Sequence, residues 1–215
     1  MSATGSTEST SHAFRGAIQR NQRTVAAYEG EARNYARLCG SELPAQSEKT
    51  LRTFVAALPR FGRILEVGSG TGHDADFVEH LGIEVRRTDA TRAFCEIQAE
   101  RGKQAELLNV ITDDLGGPYD GVMALCVLIH VDPVQFEAVL GRIRDALAPD
   151  GVFLASMREG TGAEVSGPWF TALWHEQDLT AAFEGADLQV EWTSFHIDGS
   201  GDRWLTYMVR RTESS

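Results

Sequence analysis

Three glycines alternate along one short segment of the chain, at Gly68, Gly70 and Gly72. They follow a short apolar run and precede a helical pattern, which predicts a tight turn between a strand and a helix. Without Cβ atoms, such a turn lets a ligand lie against the main chain. The spacing differs from the G-x-G-x-x-G of dinucleotide sites, because His73 stands where the third glycine would be. Glu66 beside the turn would repel a pyrophosphate, so Glu66 favours a ligand with positive charge.

The stretch from Leu65 to Gly72 closely resembles the E-x-G-x-G-x-G motif of class I S-adenosylmethionine (SAM)-dependent methyltransferases, and Glu84 to Asp89 resembles their second strand. SAM carries an ammonium and a sulfonium, which suits the carboxylate of Glu66. The resemblance extends from about Arg60 to Met157 and implies that Asp89 accepts hydrogen bonds from both ribose hydroxyls. A strand-to-helix turn without any ligand is the alternative. The cofactor-binding residues that we predict are Tyr28, Tyr35, Glu66, Gly68, Ser69, Gly70, Thr71, Gly72, Asp89, Ala90, Asn109, Val110 and Cys126.

Tyr28 and Tyr35 lie on the apolar stripe of a predicted N-terminal helix. In the family that the chain resembles, a helical segment of the Y-x-x-x-A-x-x-Y kind lies over the cofactor, and Tyr28 to Tyr35 is similar. We therefore expect one of these tyrosines to reach the cofactor. Plain packing of the helix is the alternative.

Two histidines are candidates for a catalytic base, His130 first and His175 second, because histidine titrates near neutral pH. Leu128 to Val131, at the end of the predicted fourth strand, resembles the v-L-x-H-v stretch of small-molecule methyltransferases. The alternative is that His130 shapes the pocket through hydrogen bonds and that His175, at a predicted helix start, is structural. Asp113 and Asp114 are interpreted as solvated loop residues, so no metal is predicted.

Residues 158–175 are predicted to form a lid over the acceptor, together with the N-terminal helices. The first half is rich in glycine, and the second half carries more aromatic surface than a solvated loop would expose. The alternative is that these aromatic residues only pack the last helix onto the sheet. The predicted acceptor-binding residues are His130, Trp169, Phe170 and Trp174.

Alternating strand and helix patterns predict an α/β fold, a Rossmann-like doubly wound seven-stranded sheet with helices on both faces. Ligands of such sheets bind outside the carboxyl ends of the strands. Two alternating patterns around the turn at residues 198–202 predict a C-terminal antiparallel hairpin. That arrangement is the one found in class I methyltransferases, and it counts against a dinucleotide fold. The predicted strand ends, which should converge, are Glu66 to Gly72, Asp89 to Thr91, Asn109 to Ile111 and Cys126 to Val131.

The chain of 215 residues, 42% of them hydrophobic, predicts one domain over residues 12–215 after a disordered leader at 1–11. Its expected parts are a helical cap (12–59), a SAM-binding core (60–157), the lid (158–175) and a C-terminal helix with hairpin (176–215). The net charge of -11 argues against a nucleic-acid partner. Without a membrane span, a signal-peptide core or paired cysteines, a cytoplasmic monomer or homodimer with reduced thiols is expected.

The sequence therefore predicts a SAM-dependent methyltransferase that modifies an oxygen or nitrogen atom of a small-molecule acceptor, with secondary metabolism as a setting. A non-catalytic regulator that binds an adenosyl ligand remains an alternative. An NAD-dependent oxidoreductase that uses the same glycine turn is the other.

Overall fold

The structure is a computed structural model that describes residues 4–40 and 42–212. Its helices are α1 (Thr4–Cys39), α2 (Ala45–Ala56), α3 (His73–His80), α4 (Arg92–Glu100), α5 (Pro133–Ala146) and α6 (Glu176–Gly185). Its strands are β1 (Arg63–Val67), β2 (Glu84–Asp89), β3 (Ala105–Leu107), β4 (Tyr119–Ala124), β5 (Leu147–Arg158), β6 (Ala163–Ser166), β7 (Trp169–Ala172), β8 (Leu188–Ile197) and β9 (Arg203–Arg211). Among these helices, none has the length and apolar character needed to cross a membrane.

Seven strands form one mixed sheet in the order β3-β2-β1-β4-β5-β9-β8. β1 pairs in parallel with β2 on one side and with β4 on the other, and β4 pairs in parallel with β5. The sheet is therefore doubly wound, and its winding reverses beside β1. β9 pairs antiparallel with both β5 and β8, which confirms the predicted C-terminal hairpin.

Successive residues of a strand point to opposite faces of the sheet. The central strands carry apolar residues on both faces, and helices cover each face. In β5, Phe153 and Ala155 belong to the hydrophobic cluster that includes residues of α5 and α6. Val152 and Leu154 belong to the opposite cluster, with residues of α2 and α3. Burial on both faces explains why the central strands are continuously apolar.

Helix α5 begins at an Asp-Pro pair and fixes the chain just after β4. Asp132 caps the helix by accepting a hydrogen bond from the Val134 N–H at 3.1 Å, and Pro133 occupies the first turn. The preceding residues, Leu128–His130, form a short 3₁₀ helix. His130 is therefore held between the end of a central strand and a capped helix.

Three segments differ from the sequence-based expectations. Helix α1 begins at Thr4, so it includes most of the predicted leader, and residues 1–3 lie outside the described residues. Strand β3 ends at Leu107, earlier than predicted. The predicted lid contains the end of β5 and an antiparallel hairpin of β6 and β7. Gly167, with a φ of 59°, lies at the hairpin turn, where glycine allows a tight reversal of the chain.

Candidate functional site

A cleft opens at the carboxyl ends of β1, β2, β3 and β4, where the winding of the sheet reverses. α1 forms the outer wall of this cleft. The predicted convergence of the four strand ends is confirmed. The residues that the strand ends contribute are Gly68 and Gly70 after β1, Asp89 to Thr91 at β2, Leu108 to Ile111 after β3, and Leu125 to Val127 after β4.

The three glycines of the turn after β1 have positive φ values, 67° at Gly68, 52° at Gly70 and 79° at Gly72. A Cβ on Gly68 would lie 2.1 Å from Cγ2 of Val127, and one on Gly72 would lie 2.6 Å from Oε1 of Gln98. A Cβ on Gly70 would meet no protein atom within 4 Å, although Gly70 lines the cleft. The turn therefore packs against protein at two glycines and leaves room for a ligand at the third.

Glu66 is buried behind the turn and does not line the cleft. Its carboxyl group accepts a hydrogen bond from the Ser69 hydroxyl, and Gln98 donates to that hydroxyl and to the Gly70 carbonyl at 3.0 Å each. Burial, helped by nearby Asp74 and opposed by the Ser69 hydrogen bond, raises the pKa of Glu66 to about 8. Burial also raises the pKa of Asp74 to about 6. A cation in the adjacent cleft would stabilise the ionised form of both groups.

Asp89 lines the cleft and is held by the backbone on two sides. Its Oδ2 accepts from the Gly70 N–H at 2.8 Å, and its Oδ1 accepts from the Thr91 N–H at 2.7 Å. Burial raises the pKa of Asp89, and these two N–H donors oppose that shift. Each carboxylate oxygen keeps acceptor capacity. Asp89 is therefore a fixed acceptor suited to a pair of neighbouring hydroxyls.

The other predicted cofactor residues divide into two groups. Ala90, Asn109, Val110 and Cys126 line the cleft, whereas Ser69, Thr71 and Gly72 do not. Ser69 bonds to buried Glu66, and the Thr71 carbonyl accepts from Arg101. Ser69 and Thr71 alternate with the two glycines that line the cleft, and Gly72 packs against Gln98, which the motif alone does not reveal.

One face of α1 contributes residues at helical spacing to the cleft, Asn21, Thr24, Val25, Tyr28 and Tyr35. The two tyrosines were predicted, and Asn21 was missed although it accepts a hydrogen bond from Asn109 Nδ2 at 2.8 Å. Extending the helical stripe by two turns would have identified it. Phe94 of α4 was also missed, and its ring centroid lies 5.9 Å from that of Tyr28 and 5.6 Å from that of Tyr35.

His130 lies in the cleft with a hydrogen-bond partner on each ring nitrogen. Its Nδ1 is 2.7 Å from the Phe170 carbonyl oxygen, which can only accept, so Nδ1 carries the proton. Its Nε2 is 3.1 Å from the Tyr28 hydroxyl and accepts from it in the neutral ring. Burial lowers the pKa of His130, and the bond to Phe170 opposes this shift. Burial raises the pKa of Tyr28, so the phenol keeps its proton at neutral pH.

A second cavity adjoins the cleft and shares Tyr28, Tyr35 and His130 with it. Tyr28 and His130 therefore line two neighbouring spaces. One lies at the strand ends, and the other is lined in part by β7 of the β6–β7 hairpin. The other lining residues come from α1, the 3₁₀ helix, β5, β7 and β9, and they are Glu31, Asn34, Leu38, Ile129, Arg158, Trp169, Thr171 and Trp204.

The three aromatic residues predicted to bind an acceptor lie in different surroundings. Trp169 lines the second cavity. Phe170 is buried and offers its carbonyl to His130. Trp174 packs on Phe136 with ring centroids 4.4 Å apart, against the hydrophobic core. Trp169 and Phe170 point to opposite sides because they are neighbours in a strand. The ring of Trp174 packs on α5, whereas the alternative interpretation named the last helix.

His175, predicted as the second candidate base, lines neither the cleft nor the second cavity. It directly precedes α6, and its Nε2 lies 2.9 Å from the Thr161 hydroxyl. It lines a separate surface depression with Glu159 and Glu184. The structure therefore does not bring His175 to the groups that surround His130.

A family model described as a methyltransferase domain (Methyltransf_12) matches residues 65–153. The matched segment runs from β1 into β5 and includes the glycine turn, Asp89 and His130. Comparison with curated proteins finds no match.

Solved structures share the fold over most of their length. 1,6-didemethyltoxoflavin-N1-methyltransferase from Burkholderia thailandensis, solved with 1,6-didemethyltoxoflavin and S-adenosylhomocysteine, is 19% identical with a TM-score of 0.73 over 94% of this chain and 90% of that one. Magnesium protoporphyrin IX methyltransferase from Synechocystis, solved with SAM, is 14% identical with a TM-score of 0.70 over 90% and 97%. The amino pentose methyltransferase CalS10 from Micromonospora echinaspora, also with SAM, is 17% identical with a TM-score of 0.62 over 82% and 94%.

Proposed function

We propose that this chain, whose residues 65–153 form a SAM-dependent methyltransferase domain in a class I fold, methylates a nitrogen or oxygen atom of a small molecule. SAM is the cofactor of this domain, and the class of acceptor is the new element. A role in secondary metabolism belongs to the same proposal. CalS10, which has the same fold, is involved in calicheamicin biosynthesis.

The observation that carries the proposal is the junction of the two spaces at Tyr28 and His130. In the cleft, the open space at Gly70 and the fixed carboxylate of Asp89 fit a ribose that carries two neighbouring hydroxyls. The carboxyl groups of buried Glu66 and half-buried Asp74 suit the positive charges of SAM. The second cavity adjoins this site and opens where an acceptor would need to approach.

SAM, when bound, supplies a methyl group on a positively charged sulfur that leaves as a neutral thioether. The protein's main task is therefore to align the acceptor and exclude water. α1 lines both spaces and β7 of the hairpin lines the second, so these two elements are placed to serve both purposes. Asp89 fixes the position of the ribose.

Tyr28 and His130 are suited to remove a proton from the acceptor. Tyr28 lines both spaces, and its hydroxyl donates to His130 Nε2. Tyr28 can therefore take a proton from the acceptor while it passes its own to Nε2. The Phe170 carbonyl, which accepts from Nδ1, keeps the ring oriented and stabilises the imidazolium.

Calorimetric titration with SAM, S-adenosylhomocysteine and NAD tests the proposal. We expect the first two to bind and NAD not to bind. Asp89→Ala should weaken SAM binding by about 30- to 1000-fold, because two ribose hydroxyls lose their acceptor. Asp145→Ala, on the exposed part of α5, is the matched control and should bind normally.

Two outcomes would favour the alternatives. Binding of NAD in preference to SAM would indicate an oxidoreductase. Tight binding of S-adenosylhomocysteine, with no transfer of labelled methyl groups to any compound of a small-molecule extract, would indicate a regulator that senses an adenosyl ligand.

A further inference from the structure

We infer that the second cavity selects acceptors that carry an amine on a flat apolar body and disfavours carboxylates and phosphates. The inference rests on the proposed methyltransferase function and adds the charge and shape of the acceptor. It follows from the charges that line the cavity and from the rings around them.

Among the described residues, the lining of the cavity includes no unpaired arginine or lysine that could bind an anionic acceptor. Arg158 is the one arginine or lysine among the described residues that line it. Its guanidinium pairs with Glu164 Oε2 at 2.8 Å and with Asp202 Oδ1 at 2.7 Å, so two carboxylates already surround one positive charge. Burial lowers the pKa of His130, which keeps this ring neutral at neutral pH. An anionic acceptor would therefore meet more negative than positive charge.

Glu31 supplies a carboxylate at the wall that α1 forms. Glu31 lies three residues after Tyr28 and four before Tyr35, so the three side chains share one face of the helix. Asn34, on the same wall, donates from Nδ2 to Glu31 Oε2 at 3.3 Å and orients the carboxylate. An ammonium in this part of the cavity would gain a charged partner.

Aromatic rings line the same cavity as the exposed Glu31 carboxylate. Tyr28 lies 6.0 Å from Tyr35 and 6.4 Å from Trp169 between ring centroids, and Trp204 lines the same cavity. Ring faces attract ammonium groups, and their apolar area suits a flat acceptor. A carboxylate and aromatic rings that line one cavity are a combination suited to an organic amine.

Methylation of an amine requires the acceptor to lose a proton, and Tyr28 with His130 can take it. The ammonium form loses one proton to the Tyr28 hydroxyl, which passes its own proton to His130 Nε2. The freed nitrogen lone pair then forms the bond to the methyl carbon, and the carbon–sulfur bond breaks with its electron pair left on sulfur. The methylated ammonium keeps the positive charge that the sulfur loses.

Three probes with the same indole ring test the inference: tryptamine, tryptophol and indole-3-acetate. Their binding is measured by calorimetry to protein saturated with S-adenosylhomocysteine. We expect tryptamine to bind about 10-fold more tightly than indole-3-acetate, with tryptophol between them. Equal or tighter binding of indole-3-acetate would overturn the inference, as would no binding of any probe. Failure of S-adenosylhomocysteine itself to bind would instead contradict the proposed function.

Variants of Glu31 separate its charge from the shape of the cavity. Glu31→Gln should weaken tryptamine binding by about 3- to 10-fold and leave tryptophol unchanged. Glu31→Arg should reverse the preference between tryptamine and indole-3-acetate. Glu137→Gln, on the exposed face of α5, is the control and should change neither affinity. Unaltered tryptamine binding in both Glu31 variants would refute a role for this carboxylate.

Discussion

Glu66 is a single residue whose surroundings oppose its own ionisation. Burial raises its pKa from the ordinary 4.5 to about 8, so the folded protein binds this proton more tightly than the unfolded chain does. The stability that this group contributes is complete below pH 4.5 and is lost as the pH rises towards 8. A carboxyl group that lowers stability at neutral pH is a candidate for a functional role. Attraction of a cation into the adjacent cleft is such a role.

This electrostatic arrangement predicts that SAM affinity rises with pH between about 6, the pKa of Asp74, and about 8, the pKa of Glu66. A bound cation favours the ionised carboxylates, so binding releases protons in this window. Calorimetry at several pH values measures the effect, with adenosine, which carries neither cation, as the ligand control. SAM binding that does not change over this range would contradict the prediction.

Glu66→Gln isolates the contribution of this carboxyl group, because an amide oxygen can still accept from Ser69. The rise of SAM affinity with pH should become shallower in the variant. Its thermal midpoint should exceed that of the wild type at pH 8 and match it at pH 4.5, the ordinary pKa of the group. Equal midpoints at both pH values would mean that Glu66 ionises normally.

At the scale of elements, the turn between β1 and α3 combines a packed side with an open side. Gly68→Ala should lower the free energy of unfolding by about 2 kcal/mol or more, because its Cβ would overlap Val127. Gly70→Ala should fold with a smaller loss and weaken SAM binding instead, because its Cβ enters open space. Both positions have positive φ, so the backbone strain is matched. Urea unfolding and calorimetry distinguish the two, and equal effects in both assays would contradict the prediction.

The β6–β7 hairpin is the element that separates acceptor binding from core packing. Trp169→Ala should raise the acceptor KM while SAM affinity and stability stay near those of the wild type, because Trp169 lines the second cavity. Trp174→Ala is the comparison and should lower the free energy of unfolding by about 2 to 4 kcal/mol through its lost contact with Phe136. A collapse of stability in Trp169→Ala would place that side chain in the core.

α1 contacts the elements around the cleft through polar groups as well as through the rings of Tyr28 and Tyr35. Arg20 Nε donates to Asp132 at 2.7 Å, and Tyr28 bonds to His130. The Glu29 carboxylate accepts from the N–H groups of Arg92 and Ala93 at the start of α4, at 2.7 and 3.0 Å. Such partly solvated contacts are individually weak. A ligand that touches both α1 and the strand ends would therefore add to the stability of the closed arrangement.

For the whole molecule, a ligand that contacts both α1 and the strand ends stabilises the folded state. We therefore expect SAM to raise the thermal midpoint of unfolding. At a free concentration of about 100 times its Kd, a ligand that binds only the folded state adds about 2.7 kcal/mol. For a chain of this size the midpoint should rise by about 5 to 10 °C. NAD at the same concentration is the control and should give no shift. A comparable shift with NAD would argue against the cleft as a selective SAM site.

Local signals in the sequence were sufficient to predict the fold and part of the cleft. Apolar runs, glycines and short polar turns determine the strand–turn–helix units, and the required handedness of their connections fixes the doubly wound sheet. The alternation in residues 188–197 and 203–211 predicted the hairpin because its turn is short. Asp89, Gly70 and His130 could be located because they lie at strand ends, which always meet at one edge of a parallel sheet.

The sequence by itself thus determined the winding of the sheet, the position of the cleft and its principal acid. Only the tertiary structure decided that Tyr28 caps His130 across 102 positions and that Phe170 holds the other ring nitrogen across 40. It also separated Trp169 from Trp174, placed His175 on another surface and turned Glu66 away from the cleft. The physical reason is that periodicity records which face of its own element a residue occupies, whereas a cavity depends on which distant elements pack against that face.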